Sequence, residues 1–244
     1  MKLQDFHNKH RGETIYILAS GPELAFLPKE YLKYLSTQVT ITMNHSFMAM
    51  PNNYSMYWIT GHWSMIALME QLGKAATDCF FVRRRVKNKE YGSYIMVPRM
   101  PYKPGVLPQK TDKLVSVKNV TFAAFHLAYI MGAKRIVIHG LELENGLHFW
   151  NFNSKIEEEL RSAILSLINH PGVIAIGKTE LINSYRTIFK KEALENKNYY
   201  SKDISFQYKN IIATLIKNGV DVCYTTDKGI LTKTKARKIE LIKT

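Results

Sequence analysis

The sequence has little cysteine and no long apolar run, and both absences limit what the protein can be. No apolar run reaches the length of about 18 residues that a membrane-spanning helix needs, and the opening residues, MKLQDFHNKHRGE, lack the apolar centre of a signal peptide. We therefore expect no transmembrane segment and a cytoplasmic protein. The two cysteines, Cys79 and Cys223, each lie in an apolar run, which favours buried free thiols over a disulfide or a metal pair.

Two strong nucleotide-binding signatures are also missing, because the sequence contains neither a G-x-G-x-x-G fingerprint nor a P-loop. Acidic residues are outnumbered, with 34 Lys and Arg against 20 Asp and Glu, for a net charge of +14. Such a positive net charge attracts phosphates, nucleic acids, acidic glycans or anionic membranes, and it does not indicate which of these the protein binds. Part of the excess lies in residues 83–89 and part in a basic tail at 228–244, which reads equally as a binding segment or as a solvated end.

The length of 244 residues suits one domain, 1–244, and the apolar patterning predicts its class. Apolar runs of strand length alternate with helical patterns, which is typical of βα units. We expect an α/β fold with a single Rossmann-like, mainly parallel sheet and helices on both faces. The predicted strands are 14–19, 39–43, 55–60, 78–82, 135–139, 173–176 and 221–224, and the predicted helices are 63–72, 120–131, 156–169 and 205–218.

The segment 87–117 departs from this alternation, since it carries four prolines and two glycines. It reads as an irregular, partly extended insertion over the surface, of the kind that often forms a lid or a binding loop.

A first candidate site is the turn after the first strand, Ser20-Gly21-Pro22. Glycine lets a ligand approach the backbone, and proline suits the first turn of a helix whose free N–H groups face an anion. The turn therefore predicts a phosphate or nucleotide site, although a plain βα turn would have the same residues.

Polar residues also follow later strands. Asn44 ends the second strand, and Thr60, Gly61 and His62 end the third. The carboxyl ends of parallel strands share one edge of the sheet, where ligands of open α/β folds bind. A further unit pairs a helix start with a strand end, and its candidate residues are Asn119, Thr121, Gly140, Leu141 and Glu142.

In order and spacing, these pieces resemble the sialyltransferase-like superfamily, which includes Campylobacter-type bacterial sialyltransferases and the former unknown-function family 115. The stretches that carry the resemblance are ASGPE at 19–23, MNHS at 43–46, ITGH at 59–62 and the unit at 119–143. The chain departs from the family pattern at Ala19, Glu23 and Glu142, where the family has glycine, serine and aspartate.

The resemblance implies a glycosyltransferase with a CMP- or UDP-type nucleotide-sugar donor. It implies that Ser20 and Gly21 contact the donor phosphates or ribose, that Asn44 and Thr60–His62 contact the sugar-nucleotide, that Asn119–Thr121 hold the donor, and that Gly140–Glu142 contact the nucleoside. The relatives use a histidine base near a lid. His148 is our first candidate, with His62 and Glu142 as competitors, whereas His126 on an apolar helix reads as a core histidine.

A divalent metal is not expected to be required. No D-x-D sequence is present, and Glu142-Leu143-Glu144 is the nearest analogue. Arg83, Arg84, Arg85 and Arg99 are available for phosphate contacts instead.

The acceptor is expected to be anionic, either an acidic glycan or DNA with a modified base. Two alternatives remain open: an ATP-dependent diphosphotransferase acting on a pterin alcohol, which would require magnesium, and a basic nucleic-acid-binding module without enzymatic activity.

Overall fold

A computed structural model describes residues 1–72, 76–83, 94–116, 119–143, 147–169, 182 and 202–241. Within these ranges the backbone forms nine strands: β1 Thr14–Leu18, β2 Thr40–Met43, β3 Ser55–Thr60, β4 Ala76–Arg83, β5 Tyr94–Met100, β6 Leu114–Val115, β7 Arg135–His139, β8 Asp221–Tyr224 and β9 Arg237–Lys238. The helices are α1 Lys29–Leu35, α2 Trp63–Gln71, α3 Thr121–Ile130, α4 Ser154–Asn169 and α5 Lys202–Lys217. Six 3-10 helices lie at Leu3–Phe6, Pro22–Phe26, Asn44–Ala49, Pro51–Asn53, Phe149–Phe152 and Ile230–Lys233.

All nine described strands pair in parallel, in the order β6-β5-β4-β3-β2-β1-β7-β8-β9. The chain builds outward from β1 to β6, crosses back, and builds the other half from β7 to β9. This is a doubly wound, Rossmann-like sheet, as the sequence predicts. Its topological switch point lies between β1 and β7.

Helices cover both faces of the sheet, because alternate strand residues point to opposite sides. Ile15 and Ile17 of β1 belong to the core that includes α3 and α5, while Tyr16 and Leu18 belong to the core that includes α1, α2 and α4. The result is a three-layer arrangement with two hydrophobic cores.

The helix sequences explain where each helix lies. In α4 the buried residues are Leu160, Ala163, Ile164 and Leu167, which form one stripe at helical spacing with charged residues opposite. Helix α3 differs, because every residue except Tyr129 is buried. A helix that is apolar all round must be covered on several sides, and here the sheet and Tyr208 of α5 cover α3.

The lid insertion predicted at 87–117 is corrected in its described part, residues 94–116. Partly extended backbone is present, but it forms β5 and β6, which lengthen the sheet. Ile95 and Val97 are buried on β5, and Leu114 and Val115 are buried on β6. The N–H of Val115 donates to Nδ1 of His126 at 2.9 Å, and the other ring nitrogen of His126 bonds to the carbonyl of Pro108 at 2.7 Å. The expectation that His126 is a satisfied core histidine is confirmed.

The basic tail is also more ordered in its described part than a solvated end. Ile230 and Leu231 are buried, and Arg237–Lys238 form β9 at the edge of the sheet beside β8. Arg237 pairs with Asp221 at 2.8 Å, and Lys238 pairs with Asp227. Helix α1 was not predicted. The predicted strand 173–176 lies outside the described residues.

The expectation of buried free thiols is confirmed, because Cys79 and Cys223 are free and buried. Among the described residues, no helix combines the length and the apolar character that crossing a bilayer requires.

Candidate functional site at the switch point

The carboxyl ends of β1 and β7 are joined closely at the switch point, the place where open α/β sheets bind ligands. Beyond the strands, the N–H of Ala19 donates to the carbonyl of His139 at 2.9 Å, and the N–H of Gly21 donates to the carbonyl of Gly140 at 2.7 Å. Gly140 has φ +67°, and a Cβ there would lie 2.9 Å from Cγ of Leu24. Both the backbone conformation and the space therefore require glycine at this position.

Two glutamates take the backbone N–H groups that an anion would use. The N–H of Glu23 donates to Oε1 of Glu142 at 2.6 Å, and the N–H of Gly140 donates to Oε2 of Glu23 at 2.7 Å. The Glu142 carboxylate also fills the space above Gly21, where any Cβ would overlap it. Each glutamate thus binds the backbone of the other segment, and the β1 turn is locked to the β7 turn.

This corrects the expectation of free N–H groups in the turn after β1. Pro22 begins a 3-10 helix of five residues rather than a long helix. The N–H of Glu23 is held by the chain's own carboxylate. Ser20, Gly21 and Pro22 do lie at the predicted edge, but an external phosphate would have to replace Glu142 to use this backbone.

The second carboxylate, Glu23, lies at the end of a buried chain of hydrogen bonds. The ring of His139 bonds through Nε2 to the hydroxyl of Tyr31 at 3.2 Å and through Nδ1 to Oγ1 of Thr225 at 2.8 Å. Thr225 in turn donates to Oε1 of Glu23. Burial alone would raise the pKa of the Glu23 carboxyl, but His139, Thr225 and the N–H of Gly140 together hold it below its usual value.

The ends of β2 and β3 meet through side chains, as the sequence predicts. Asn44 adopts the left-handed conformation, with φ 49°, and its Oδ1 accepts from the hydroxyl of Thr60 at 2.8 Å. The same hydroxyl oxygen accepts from the N–H of His62 at 3.2 Å. The carbonyl of Asn44 accepts from Nε1 of Trp58 at 2.8 Å. Asn44, Thr60, Gly61 and His62 are therefore one structural unit.

Two further histidines, His45 and His148, lie beside this unit together with a tryptophan, Trp150. The ring centroids of His45 and Trp150 are 4.8 Å apart, and the His148 ring stacks on Trp150 at 4.3 Å. Burial lowers the pKa of His45 to about 3, with smaller contributions from the nearby His148 and His62. His45 is therefore neutral at physiological pH and cannot compete with a neighbouring histidine for a proton.

Two polar atoms in this cluster have no hydrogen-bond partner among the described residues, namely Nε2 of His45 and Nε1 of Trp150. Burying such groups unpaired costs about 1–3 kcal/mol each. Unsatisfied groups of this kind are rare in native proteins and mark places where a ligand or an ordered water completes the bonding.

His148 brings the segment after β7 back to β1. Its Nδ1 lies 3.1 Å from the carbonyl of Ser20, and the N–H of Phe149 donates to the same carbonyl at 3.1 Å. A carbonyl only accepts, so Nδ1 carries the hydrogen and a neutral His148 has its lone pair on Nε2. That tautomer is the one a general base needs if Nε2 is to take a proton.

Other predicted residues fall elsewhere or are already engaged. Oδ1 of Asn119 accepts from the N–H and hydroxyl of Thr121, and its Nδ2 donates to Tyr208, so both residues hold the start of α3 against α5. Among the described residues, neither one hydrogen-bonds to a candidate outside this pair. The Leu141 side chain is buried in the core.

Of the four predicted phosphate-binding arginines, two lie within the described residues, on the adjacent strands β4 and β5. Arg83 ends β4 and Arg99 lies in β5, while Arg84 and Arg85 are outside the described residues. In the part of the chain that the structure describes, no group of three or more His, Cys, Asp or Glu side chains is arranged to hold a metal ion.

The sequence places Glu23 and His45 in the stretches ASGPE and MNHS at this edge but does not single them out as site residues. His139 is predicted only as the end of a strand, and Thr225 is not predicted. The available signal was position, since each lies at or just after the carboxyl end of a strand or of its following turn. No family model, curated protein or solved structure matches the chain.

Proposed function

We propose that the protein is a glycosyltransferase that moves a sugar from a nucleotide-sugar donor to an acceptor hydroxyl. The observation that carries the proposal is the cluster at the switch point, where Asn44, Thr60 and His62 adjoin His148 and the two buried, unpartnered nitrogens of His45 and Trp150. The resemblance of ASGPE, MNHS, ITGH and the 119–143 unit to sialyltransferase-like proteins supports the same activity.

The positions of the acids suggest how the donor lies. Glu142 and Glu23 make the edge between β1 and β7 negative, which repels a phosphate but suits the hydroxyls of a ribose, a common partner of carboxylates in doubly wound folds. The phosphate would then face the β2 and β3 ends, where Asn44 offers its amide and His45 and Trp150 offer buried nitrogens. On this view Gly140 and Leu141 shape the backbone near the nucleoside rather than bind it through side chains.

His148 is the proposed general base. The acceptor hydroxyl oxygen would attack the anomeric carbon of the donor sugar while the bond from that carbon to the phosphate oxygen breaks. The hydroxyl proton passes to Nε2 of His148, and the bond electrons leave with the nucleotide phosphate. His62 lies close enough to act on the same pocket electrostatically.

An aromatic surface beside the base suits a ring-bearing acceptor. Phe26 ends the 3-10 helix that carries Glu23, and Phe152 ends the one that begins after His148. Their ring centroids are 5.4 Å apart, and the two residues are 69% and 44% exposed. A sugar or a base could stack on such a pair. Both acceptor classes, an acidic glycan and a modified DNA base, are consistent with the net charge of +14.

A thermal-shift screen tests the proposal with CMP, UDP, GDP, ATP and the corresponding nucleotide sugars, each with and without magnesium and duplex DNA. A donor at 100 times its dissociation constant stabilises the folded state by about 2.7 kcal/mol. We expect a CMP or UDP sugar to raise the melting temperature. A response to ATP with magnesium alone would replace the proposal with diphosphate transfer, and no response to any nucleotide would refute the donor site.

A matched pair of variants locates the site. Asn44→Gly removes the amide but keeps a residue that tolerates the left-handed backbone. Asn52→Gly makes the same change at an exposed residue with φ 53°. We expect Asn44→Gly to lose the donor response and Asn52→Gly to keep it. Equal responses in the two variants would reject Asn44 as a donor contact.

A further inference from the structure

A cavity of about 560 Å³ opens at the opposite edge of the sheet, among the residues that precede and begin β1, β2 and β3. Its wall includes Lys9, Tyr16, Tyr34, Val39 and Met56. The volume lies within the range of about 300–1,000 Å³ that is typical of small-molecule sites. None of the residues assigned to the switch-point site lines this cavity.

Two phenols supply hydrogen-bond donors to the cavity. The hydroxyl oxygens of Tyr16 and Tyr34 are 3.1 Å apart, so one hydroxyl donates to the other and the accepting hydroxyl retains its own hydrogen. Burial raises the pKa of Tyr16, with smaller contributions from Tyr34 and Tyr31, so this hydroxyl stays protonated at neutral pH. The pair therefore offers one O–H donor in addition to the bond within it.

Lys9 supplies a fixed positive charge. Its Nζ lies 3.5 Å from Oδ2 of the buried Asp78 and 4.6 Å from the centre of the Phe6 ring. Burial opposes the charge on Lys9, but Tyr57 and Asp78 outweigh it and raise the pKa of the ammonium. The Lys9 side chain is still 39% exposed, so the cation is held in place without being enclosed.

The cavity wall also contains an acid, Glu13, which bonds to the neighbouring His10. Oε1 of Glu13 accepts from Nδ1 of His10 at 3.2 Å, and the other ring nitrogen of His10 then accepts from the hydroxyl of Tyr57 at 2.7 Å. The charge of Arg135, which is paired with Asp221 at 2.7 Å, also acts on the Tyr16 hydroxyl. The wall thus offers two donors, the Lys9 ammonium and one phenol O–H, while Val39, Met56 and the phenol rings supply apolar walls.

We propose that this cavity is a second ligand site, which takes a small organic carboxylate with an aromatic or branched apolar body. The carboxylate would accept from Lys9 and from the remaining O–H of the Tyr16–Tyr34 pair, and the apolar body would lie against Val39 and Met56. A cation is disfavoured by Lys9, and a neutral analogue loses the charge-assisted hydrogen bond.

Ligand-observed NMR tests the site with three probes of one shape: benzoate, benzamide and benzylamine. We expect saturation transfer to benzoate and at least severalfold weaker binding of the other two. The Tyr34→Phe variant should weaken benzoate binding severalfold, whereas Tyr102→Phe, which removes a phenol that bonds to Thr214 away from the cavity, should leave it unchanged.

A second pair of variants tests the charge. Lys9→Met combined with Asp78→Asn removes the cation without leaving a buried carboxylate unpaired, and Lys217→Met removes an exposed lysine at the end of α5. Loss of benzoate binding in the first variant alone is expected. Failure of benzoate to bind, equal binding of benzylamine, or unchanged binding in both Tyr34→Phe and the Lys9 variant would overturn the proposal.

Discussion

The two ends of the parallel strands differ in how their polar groups are used. At the carboxyl end, the carboxylates of Glu23 and Glu142 are bound to backbone N–H groups, and buried nitrogens of His45 and Trp150 have no partner among the described residues. At the amino end, Lys9 and the Tyr16–Tyr34 pair line an open cavity. The first edge is acidic and closely packed, whereas the second is open and rich in donors. Net charge alone therefore does not say where an anion binds.

The largest expected effect is on the rate of sugar transfer at the carboxyl edge, and it distinguishes catalysis from donor binding. His148→Asn keeps an N–H that can donate to Ser20 but removes the nitrogen that would take the proton. We expect the rate of sugar transfer to fall by about 100- to 10,000-fold, with the donor-induced thermal shift retained. Transfer assays and thermal-shift measurements on the same preparations check this.

Two histidine variants provide the reference for that result. His62→Asn should reduce transfer less than His148→Asn, and His7→Asn, in the N-terminal segment, should leave it unchanged. If His62→Asn is the more damaging, the base is His62 and the assignment of His148 is wrong.

The close packing of the carboxyl edge can be broken at Gly21. Gly21→Ala places a Cβ where the Glu142 carboxylate lies and 2.6 Å from the carbonyl of Gly140. We expect it to reduce the free energy of unfolding by about 1–3 kcal/mol. Glu142→Asp shortens the acid, so the double variant should recover part of that loss in chemical denaturation. Strictly additive effects would show that the two residues do not interact.

The charge of Glu23 gives this edge a dependence on pH. Glu23→Gln removes a carboxylate that accepts hydrogen bonds from the N–H of Gly140 and the hydroxyl of Thr225. We expect the free energy of unfolding to fall by about 1–3 kcal/mol at pH 7. Because the folded-state pKa of Glu23 is lowered, its contribution is complete above the ordinary glutamate pKa of about 4.3 and is lost as the pH falls through the folded-state value. Denaturation of both proteins between pH 7 and 3 should show the difference shrinking in acid. A constant difference would contradict the lowered pKa.

The smallest effect compares two buried tryptophans at the same edge. Nε1 of Trp58 donates to the carbonyl of Asn44, whereas Nε1 of Trp150 has no partner among the described residues. Because it loses this hydrogen bond, Trp58→Phe should reduce the free energy of unfolding by about 1 kcal/mol more than Trp150→Phe. Trp150→Phe should instead weaken donor binding. Equal stability costs and unchanged donor binding would show that the Trp150 N–H has no special role.

Much of the sheet could be predicted because its strands are apolar runs between clear turns. Ser55–Thr60, Arg135–His139 and Asp221–Tyr224 match the predicted bounds. Strand β5 was missed because Pro98 within it reads as a breaker, yet β6 pairs only with Arg99 and Met100, beyond that proline. Strand β9 consists of two exposed basic residues and has no apolar pattern to detect.

The site was predictable only where neighbouring strand ends supply polar residues in order, as with Asn44 and Thr60–His62. The bonds of Glu23 reach Gly140 and Thr225, and no local spacing rule links such distant positions. The sequence predicts a ligand site at the Gly21 turn because it shows that glycine leaves space but does not show that Glu142 fills that space.

The two outer strands of the sheet, as formed by the described residues, bear on whether copies of the chain can join edge to edge. A bare edge invites pairing with another strand, and lysine or arginine on the edge opposes this. On β9 both residues are basic and exposed, so an approaching second copy would meet like charge. On β6 the N–H of Val115 is already bound by His126, and Leu114 and Val115 are buried. The basic residues of β9 and the bond from Val115 to His126 thus both disfavour strand pairing at these two edges.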